Sequence, residues 1–216
     1  MSRPRRRSRS ALRREIKTRD AFLTRVSQGL CARVRALEED PGELGALQGF
    51  ARELAIIAGD REARTPRRVS LDVGLHVHEI IEDWRRRHGE RASAGPTIDV
   101  ERTGSLLASV DADHVAIILG ELVSNAAKYG GGRPIRVHVD GEQTFLRLIV
   151  EDEGPGFVPA NAHWPRFVRG AGSERALGFG VGLWLIQALA AGHGGALRFS
   201  RRSGGGTRAV VTLRRE

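Results

Sequence analysis

The 216-residue chain contains one cysteine, Cys31, so no disulfide can close within it and no cysteine-based zinc site can form. Aromatic residues make up only 5%, which leaves the packing of a core to aliphatic side chains. No apolar run approaches the roughly 20 residues of a membrane-spanning helix, and no signal peptide is visible. A cytoplasmic protein without a transmembrane segment is the expectation. GxxxxGK followed by Ser or Thr does not occur, which excludes a P-loop. No histidine precedes His76. Three further residue types are nearly missing: lysine occurs only at 17 and 128, asparagine only at 125 and 161, and tyrosine only at 129. Where a composition avoids a residue, its few occurrences mark places where a substitute fails. Three of these fall in one segment, ELVSNAAKYG.

Charge is unevenly spread. The formal net charge is +9, but residues 1–14 carry seven Arg and no acid, which leaves only +2 for the remainder. Residues 1–10 read as a basic disordered tail. Nothing further on is an aromatic-studded basic stripe or a zinc finger, so no specific nucleic-acid partner is expected.

Apolar spacing divides the rest. Residues 11–39 predict a helix through Leu12, Ile16, Leu23, Val26, Leu30, Val34 and Leu37. Asp40-Pro41-Gly42 stops it, and residues 43–60 resume helical spacing through Leu44, Leu47, Phe50, Leu54 and Ile57. Two such helices cannot cover both apolar stripes alone, so a homodimer through residues 11–60, forming a four-helix bundle, is the economical expectation. Residues 61–68 read as a polar linker. A short strand and a helix follow over 69–87, then a strand near Thr97–Glu101 and a helix over about Asp111–Tyr129, stopped by three glycines. Ile135, Val137 and Val139 alternate, Asp140-Gly141 predicts a turn, and Leu146, Leu148 and Val150 alternate back. Residues 153–180 are loop-like, Val181–Ala191 is helical, and a closing hairpin spans Ala196–Leu213 with its turn at Ser203–Gly206. The fold class is α+β: a helical hairpin, then an α/β sandwich with an antiparallel-rich sheet and helices on one face.

Three segments can carry chemistry. On a helix, Glu121, Asn125, Lys128 and Tyr129 follow i, i+4, i+7, i+8 spacing and share a polar face. Val115, Leu119, Leu122 and Ala126 form the adjoining apolar stripe. Lys128 supplies a compact ammonium that Arg does not reproduce, and Asn125 a neutral oxygen suited to a hard cation such as Mg²⁺. In EDEGPGF, Asp152 shares the parity of the buried positions of its strand and lies where the strand ends. Gly154 and Gly156 let backbone approach a flat ligand, and a carboxylate there can accept from an exocyclic amine. In GFGVGLWLI, glycines lead into a helix whose free N–H groups favour an anion. Taken singly, each segment is equally an ordinary solvated face, turn or loop.

Taken together and in this order, the segments resemble the ATP-binding domain of sensor histidine kinases and the wider gyrase, chaperone and kinase ATPase superfamily. ELVSNAAKYG resembles the N box and DEGPGF the first glycine box. WPRFVRG resembles the phenylalanine box, GFGVGLWL the second glycine box, and HGGALRFSRRSGGGTRAVVTL the closing strands. The resemblance covers roughly residues 69–216. It implies ATP and Mg²⁺ as cofactors, with Asn125 as metal ligand and Glu121 polarising the reacting centre or orienting water. Lys128 would contact phosphate and Tyr129 would pack near the nucleotide. Asp152 would accept from the adenine amino group, with Gly154 and Gly156 allowing the approach. Phe167 and Arg169 would belong to a lid, from about Pro159 to Leu177. Gly178, Gly180, Gly182 and Leu183 would line the nucleotide, and Thr207 would support the adenine side.

Residues 11–64 resemble the family's dimerisation and phosphoacceptor hairpin in degenerate form. RDAFLTRVSQGL matches at Ser27 and Leu30, but Gln28 stands where the phosphoacceptor His belongs and Gly29 where its acidic neighbour belongs. A glutamine amide is not nucleophilic near neutral pH, whereas a neutral imidazole is. No phosphoacceptor is therefore found in the hairpin. The expectation is a two-component signalling protein acting on a histidine of another protein or on a noncanonical residue, with a response regulator or other signalling protein as partner. A nucleotide-gated binding module without phosphotransfer, and a serine kinase of the anti-sigma-factor type, are the alternatives.

Overall fold

The computed structural model describes residues 61–89, 96–156 and 181–215, with Leu23, Ala51 and residues 53–58. The basic tail, nearly all of the predicted hairpin including Gln28 and Gly29, and the lid with Phe167, Arg169, Gly178 and Gly180 lie outside the described residues.

Helix α1 covers Arg61–Arg64 and strand β1 Val69–Asp72; α2 then spans Val73–Gly89, β2 Ile98–Gly104 and β3 Leu107–Val110. Helix α3 is Ala112–Tyr129, followed by β4 Ile135–Gly141 and β5 Phe145–Glu151. Helix α4 is Gly182–Gly192, and β6 Ala196–Arg201 and β7 Thr207–Arg214 complete the fold. Five strands form one sheet in the order β2-β4-β5-β7-β6, in which β2 and β4 run parallel and every other pair antiparallel. β1 and β3 form a separate antiparallel pair.

Alternation decides which face is buried. Ile135, Val137 and Val139 of β4, Leu146, Leu148 and Val150 of β5, and Ala209, Val211 and Leu213 of β7 point inward. They meet Val73, Val77 and Ile81 of α2, Val115, Leu119 and Leu122 of α3, and Leu185, Ile186 and Leu189 of α4 in one apolar cluster. The outward face is polar, with Arg136, Glu151 and Arg208 side by side across three strands. The mixed sandwich expected from the pattern is thus present.

Helix α3 is bounded by its sequence. Asp111 is extended at φ −91°, ψ 117° and accepts a hydrogen bond from His114 N at 3.1 Å, a side-chain N-cap. Gly130 closes the other end, donating to Ala126 O at 2.7 Å.

Three features depart from the sequence expectations. Asp140-Gly141 is not the hairpin turn: both stay in β4, paired with Arg147 and Leu146, and the reversal is at Glu142–Thr144, closed by Glu142 N to Phe145 O at 2.9 Å. Gly141 is required for a different reason, since a Cβ there would sit 1.9 Å from Ser105 O. Strand β3 is additional to the predicted elements. Residues 61–68 are docked on the domain: Ala63 is buried, and Ile56 and Ile57 just before them join the same core. Part of the second predicted helix's apolar stripe is therefore covered within one chain.

Candidate functional site

Asp152 leaves the end of β5 and is only 8% exposed. Its Oδ1 accepts from Gly154 N at 2.8 Å and from Thr207 N at 3.2 Å, while its backbone N donates to Thr207 O at 3.0 Å. Two backbone donors thus fix the carboxylate through one oxygen. Oδ2 accepts no hydrogen bond among the described residues and keeps its capacity for a ligand donor.

Glycines make this seat possible. A Cβ on Gly154 would stand 2.6 Å from Tyr129 O, which brings the end of α3 onto the turn after β5. Gly206 has φ +99°, and a Cβ there would stand 1.9 Å from Asp152 O. Gly156, at φ +85°, lies against Gly206 O. Gly206 and Gly130 were not singled out by sequence reasoning; their signal was present in the GGG runs, which read only as turn and stop.

The working face of α3 leads from this seat to α4. Tyr129 and Lys128 are exposed at its C-terminal end, and Asn125 and Glu121 are partly buried further back. Asn125 makes no side-chain hydrogen bond among the described residues, and its carbonyl oxygen is of the kind that can ligate a hard cation. Glu121 reaches the start of α4: its Oε2 would be 2.1 Å from a Cβ on Gly182. Burial pushes the Glu121 carboxyl above the ordinary range, and the Lys128 ammonium partly opposes this. Gly182 opens α4, whose N-cap, Val181, has no side chain able to cap it, and Leu183 packs against the core. Trp84 of α2 steadies α3 one residue before Asn125, its indole donating to Ser124 Oγ at 3.4 Å.

The structure thus brings Asp152, Gly154, Gly156 and Thr207 into one seat, and Glu121 and Gly182 into contact. Asn125, Lys128 and Tyr129 lie on the helix between them. His76 and His138 are accounted for locally, the first by Ala112 O at 3.0 Å and the second by Thr103 Oγ1 at 2.8 Å. His193 caps α4 through its backbone N, which donates to Leu189 O and Ala190 O.

A two-layer sandwich with an anchored carboxylate at the sheet's end, a polar helix face and a glycine-led helix start has the layout of a nucleotide-binding ATPase domain. Residues 110–216 match the family described as Histidine kinase-, DNA gyrase B-, and HSP90-like ATPase, whose domain binds ATP. A sensor histidine kinase component of Mycobacterium tuberculosis is 31% identical over 124 residues, covering 56% of this chain and 73% of that protein. A "probable sensor histidine kinase" of the same species is 29% identical over 210 residues, covering 96% of this chain and 50% of its own length. The sensor protein KdpD of Escherichia coli is 36% identical over 112 residues, but only 12% of it is covered. The chain therefore spans between about an eighth and three quarters of these relatives. Among solved structures, the histidine kinase AdeS of Acinetobacter baumannii superposes with a TM-score of 0.62 at 15% identity, covering 90% of this chain and 98% of that one. The mycobacterial sensor histidine kinase MprB gives 0.53 at 24%, covering 68% and 97%. These two show the fold. The chain belongs to the sensor histidine kinase family, with a histidine-kinase-type ATPase domain.

Proposed function

We propose that this chain binds Mg-ATP between Asp152 and the start of α4 and donates the γ-phosphoryl group to a histidine on another protein of a two-component system. The observation that carries the reading is the half-satisfied Asp152 carboxylate. Oδ1 is committed to Gly154 N and Thr207 N, and Oδ2, which accepts no hydrogen bond among the described residues, would accept from the adenine amino group. Gly154 and Gly156 admit the base. Asn125 is the residue that would hold Mg²⁺, which when bound neutralises phosphate charge. Lys128 supplies a second positive charge at the exposed end of the same face, and the N–H groups opening α4 at Gly182 and Leu183 offer an anion site. Glu121 stands beside Gly182, placed to orient a reacting group there. Tyr129 flanks the base side, with Phe167 and Arg169 assigned to the covering segment and Gly178 and Gly180 to the nucleotide lining.

Residues 11–64 form the dimerisation hairpin and residues 69–216 the ATP-binding unit, in a cytoplasmic homodimer joined through residues 11–60. Gln28 leaves that hairpin without an acceptor imidazole, so the loaded site acts in trans. Incubation of the full chain with radiolabelled ATP, alone and with candidate histidine-containing partners, tests this. Acid-labile label on an added protein and none on residues 11–60 is expected; acid-labile label within residues 11–60 would overturn it. Gln28 equally favours a second reading, a nucleotide-gated binding module, for which no partner is ever labelled although ATP binds.

A further inference from the structure

Residues 61–68 contain five charged side chains, yet this strap is stitched to the domain at several points. Arg67 N donates to Asp111 Oδ2 at 2.6 Å, and Arg68 Nη1 donates to Ser109 O and Arg214 O at 2.9 and 3.0 Å. The Arg64 guanidinium lies 5.5 Å from the centre of the Trp184 ring on α4. At the other end of α4, Arg64 O would be 2.7 Å from a Cβ on Gly192. Ala63 O accepts from His114 Nε2 at 3.0 Å.

Under the strap, His114 and His193 are both 0% exposed. His114 Nδ1 stands 3.3 Å from His193 Nε2, with the rings edge to face at 76°. A carbonyl can only accept, so His114 Nε2 carries a hydrogen, and in the neutral pair His193 Nε2 donates to His114 Nδ1. Only one hydrogen fits between the two rings. A single extra proton can be accommodated on His193 Nδ1, with the shared hydrogen passing to His114 Nδ1, and Asp111 Oδ2, 3.9 Å from His114 Nε2, favours the charge on that ring. The second cannot, because two N–H groups would then face each other across 3.3 Å. The other charged groups on the elements packed around the pair are of both signs: Arg64, Arg67 and Glu62 on the strap, with Glu62 3.8 Å from Arg67, Asp113 beside His114 on α3, and Arg214 at the end of β7, whose backbone N–H donates to His193 O at 3.1 Å. The exclusion of the second proton therefore rests on the ring-to-ring contact itself.

We propose that His114 and His193 form a proton-operated latch that holds the strap, and with it both ends of α4, onto the domain at neutral pH and releases it in mild acid. Undocked imidazoles titrate near pH 6.5 and together take two protons; the docked pair takes at most one. The docked state thus binds fewer protons, so docking strengthens as pH rises and weakens as pH falls below about 6.5. Between pH 7.5 and 5.5 the docking constant falls about tenfold if one proton is excluded, and about 100-fold if both are. The inference concerns the strap and stands whether or not the phosphotransfer reading holds.

Hydrogen exchange of the full chain, corrected for intrinsic rates, tests it. Protection of residues 61–68 falls at least about tenfold from pH 7.5 to 5.5, while β4 and β5 stay protected. In His193→Gln, whose amide can either donate to or accept from His114 Nδ1, the same interval changes strap protection less than about threefold. Flat protection in the parent, or the parent's profile persisting in His193→Gln, overturns the latch. Should that variant fail to fold, imidazole nitrogen shifts of the parent decide. Uptake of at most one proton before the strap exchanges supports the latch; two protons taken up near pH 6.5 under an intact strap refute it.

Discussion

Replacing Asp152 by Asn and by Ala separates its two roles. Oδ1 is held by two backbone donors, so an Asn must turn its carbonyl oxygen toward Gly154 N and Thr207 N and place its amide nitrogen where Oδ2 was. The seat survives, but an acceptor for the adenine amino group becomes a donor facing a donor. Loss of a hydrogen bond to a charged group costs about 1.5–3 kcal/mol, so ATP affinity falls roughly 10- to 150-fold. A guanine base, which offers an acceptor at the corresponding position, loses less, and the preference for ATP over GTP narrows. Stability changes little in Asp152→Asn. Asp152→Ala instead strands both backbone donors at about 1–3 kcal/mol each and lowers the melting temperature as well. Calorimetric titration with both nucleotides, paired with thermal melts of the three proteins, reads both effects. Parental ATP affinity in Asp152→Asn, or melting as depressed as in Asp152→Ala, refutes the division of labour between the two oxygens.

Other perturbations have equally definite outcomes. Asn125→Ala removes the proposed metal ligand, so raising Mg²⁺ should strengthen ATP binding in the parent and far less in the variant; identical Mg²⁺ dependence in calorimetry would count against Asn125. The raised pKa of Glu121 means the folded chain binds the extra proton, so its contribution to stability is present in acid and is lost as pH rises from the ordinary carboxyl range through the raised value. Glu121→Gln should remove that loss, at most about 1.4 kcal/mol per pH unit, in melting curves against pH, and should abolish turnover of bound ATP. Gly182→Ala puts a methyl group 2.1 Å from Glu121 Oε2 and displaces the carboxylate. The displaced end is flexible, so melting should change by less than about 1 kcal/mol while turnover falls, and a large loss of stability would show the contact to be rigid.

Much of this architecture was legible because local signals were redundant. Helix α3 carried a polar N-cap, an apolar stripe and a glycine stop, and all three agreed. Its polar face, the parity of Asp152 and the glycines opening α4 came from periodicity and turn chemistry alone. Other features depend on contacts distant in sequence. Asp140-Gly141 has the composition of a tight turn, but Ser105 O packs where a Cβ of residue 141 would be, and this close approach of the chain leaving β2 to the end of β4 cannot be read locally. Strand β3 is four residues long and abuts a helix cap, too short to show a period. The strap looked like solvated linker because five of its eight residues are charged, although its backbone, Ala63 and the Arg64 and Arg68 side chains do the docking. His114 and His193 are 79 positions apart, and nothing in either neighbourhood announces the other.

The central claim is a nucleotide site assembled from α3, the turn after β5 and the start of α4. Titration of the full chain with ATP, with and without Mg²⁺, tests it most directly. One nucleotide bound per chain, strengthened by Mg²⁺ and weakened in Asp152→Asn, is the result the account predicts. Absence of ATP binding by the parent chain, or binding indifferent to both Mg²⁺ and Asp152, would contradict it.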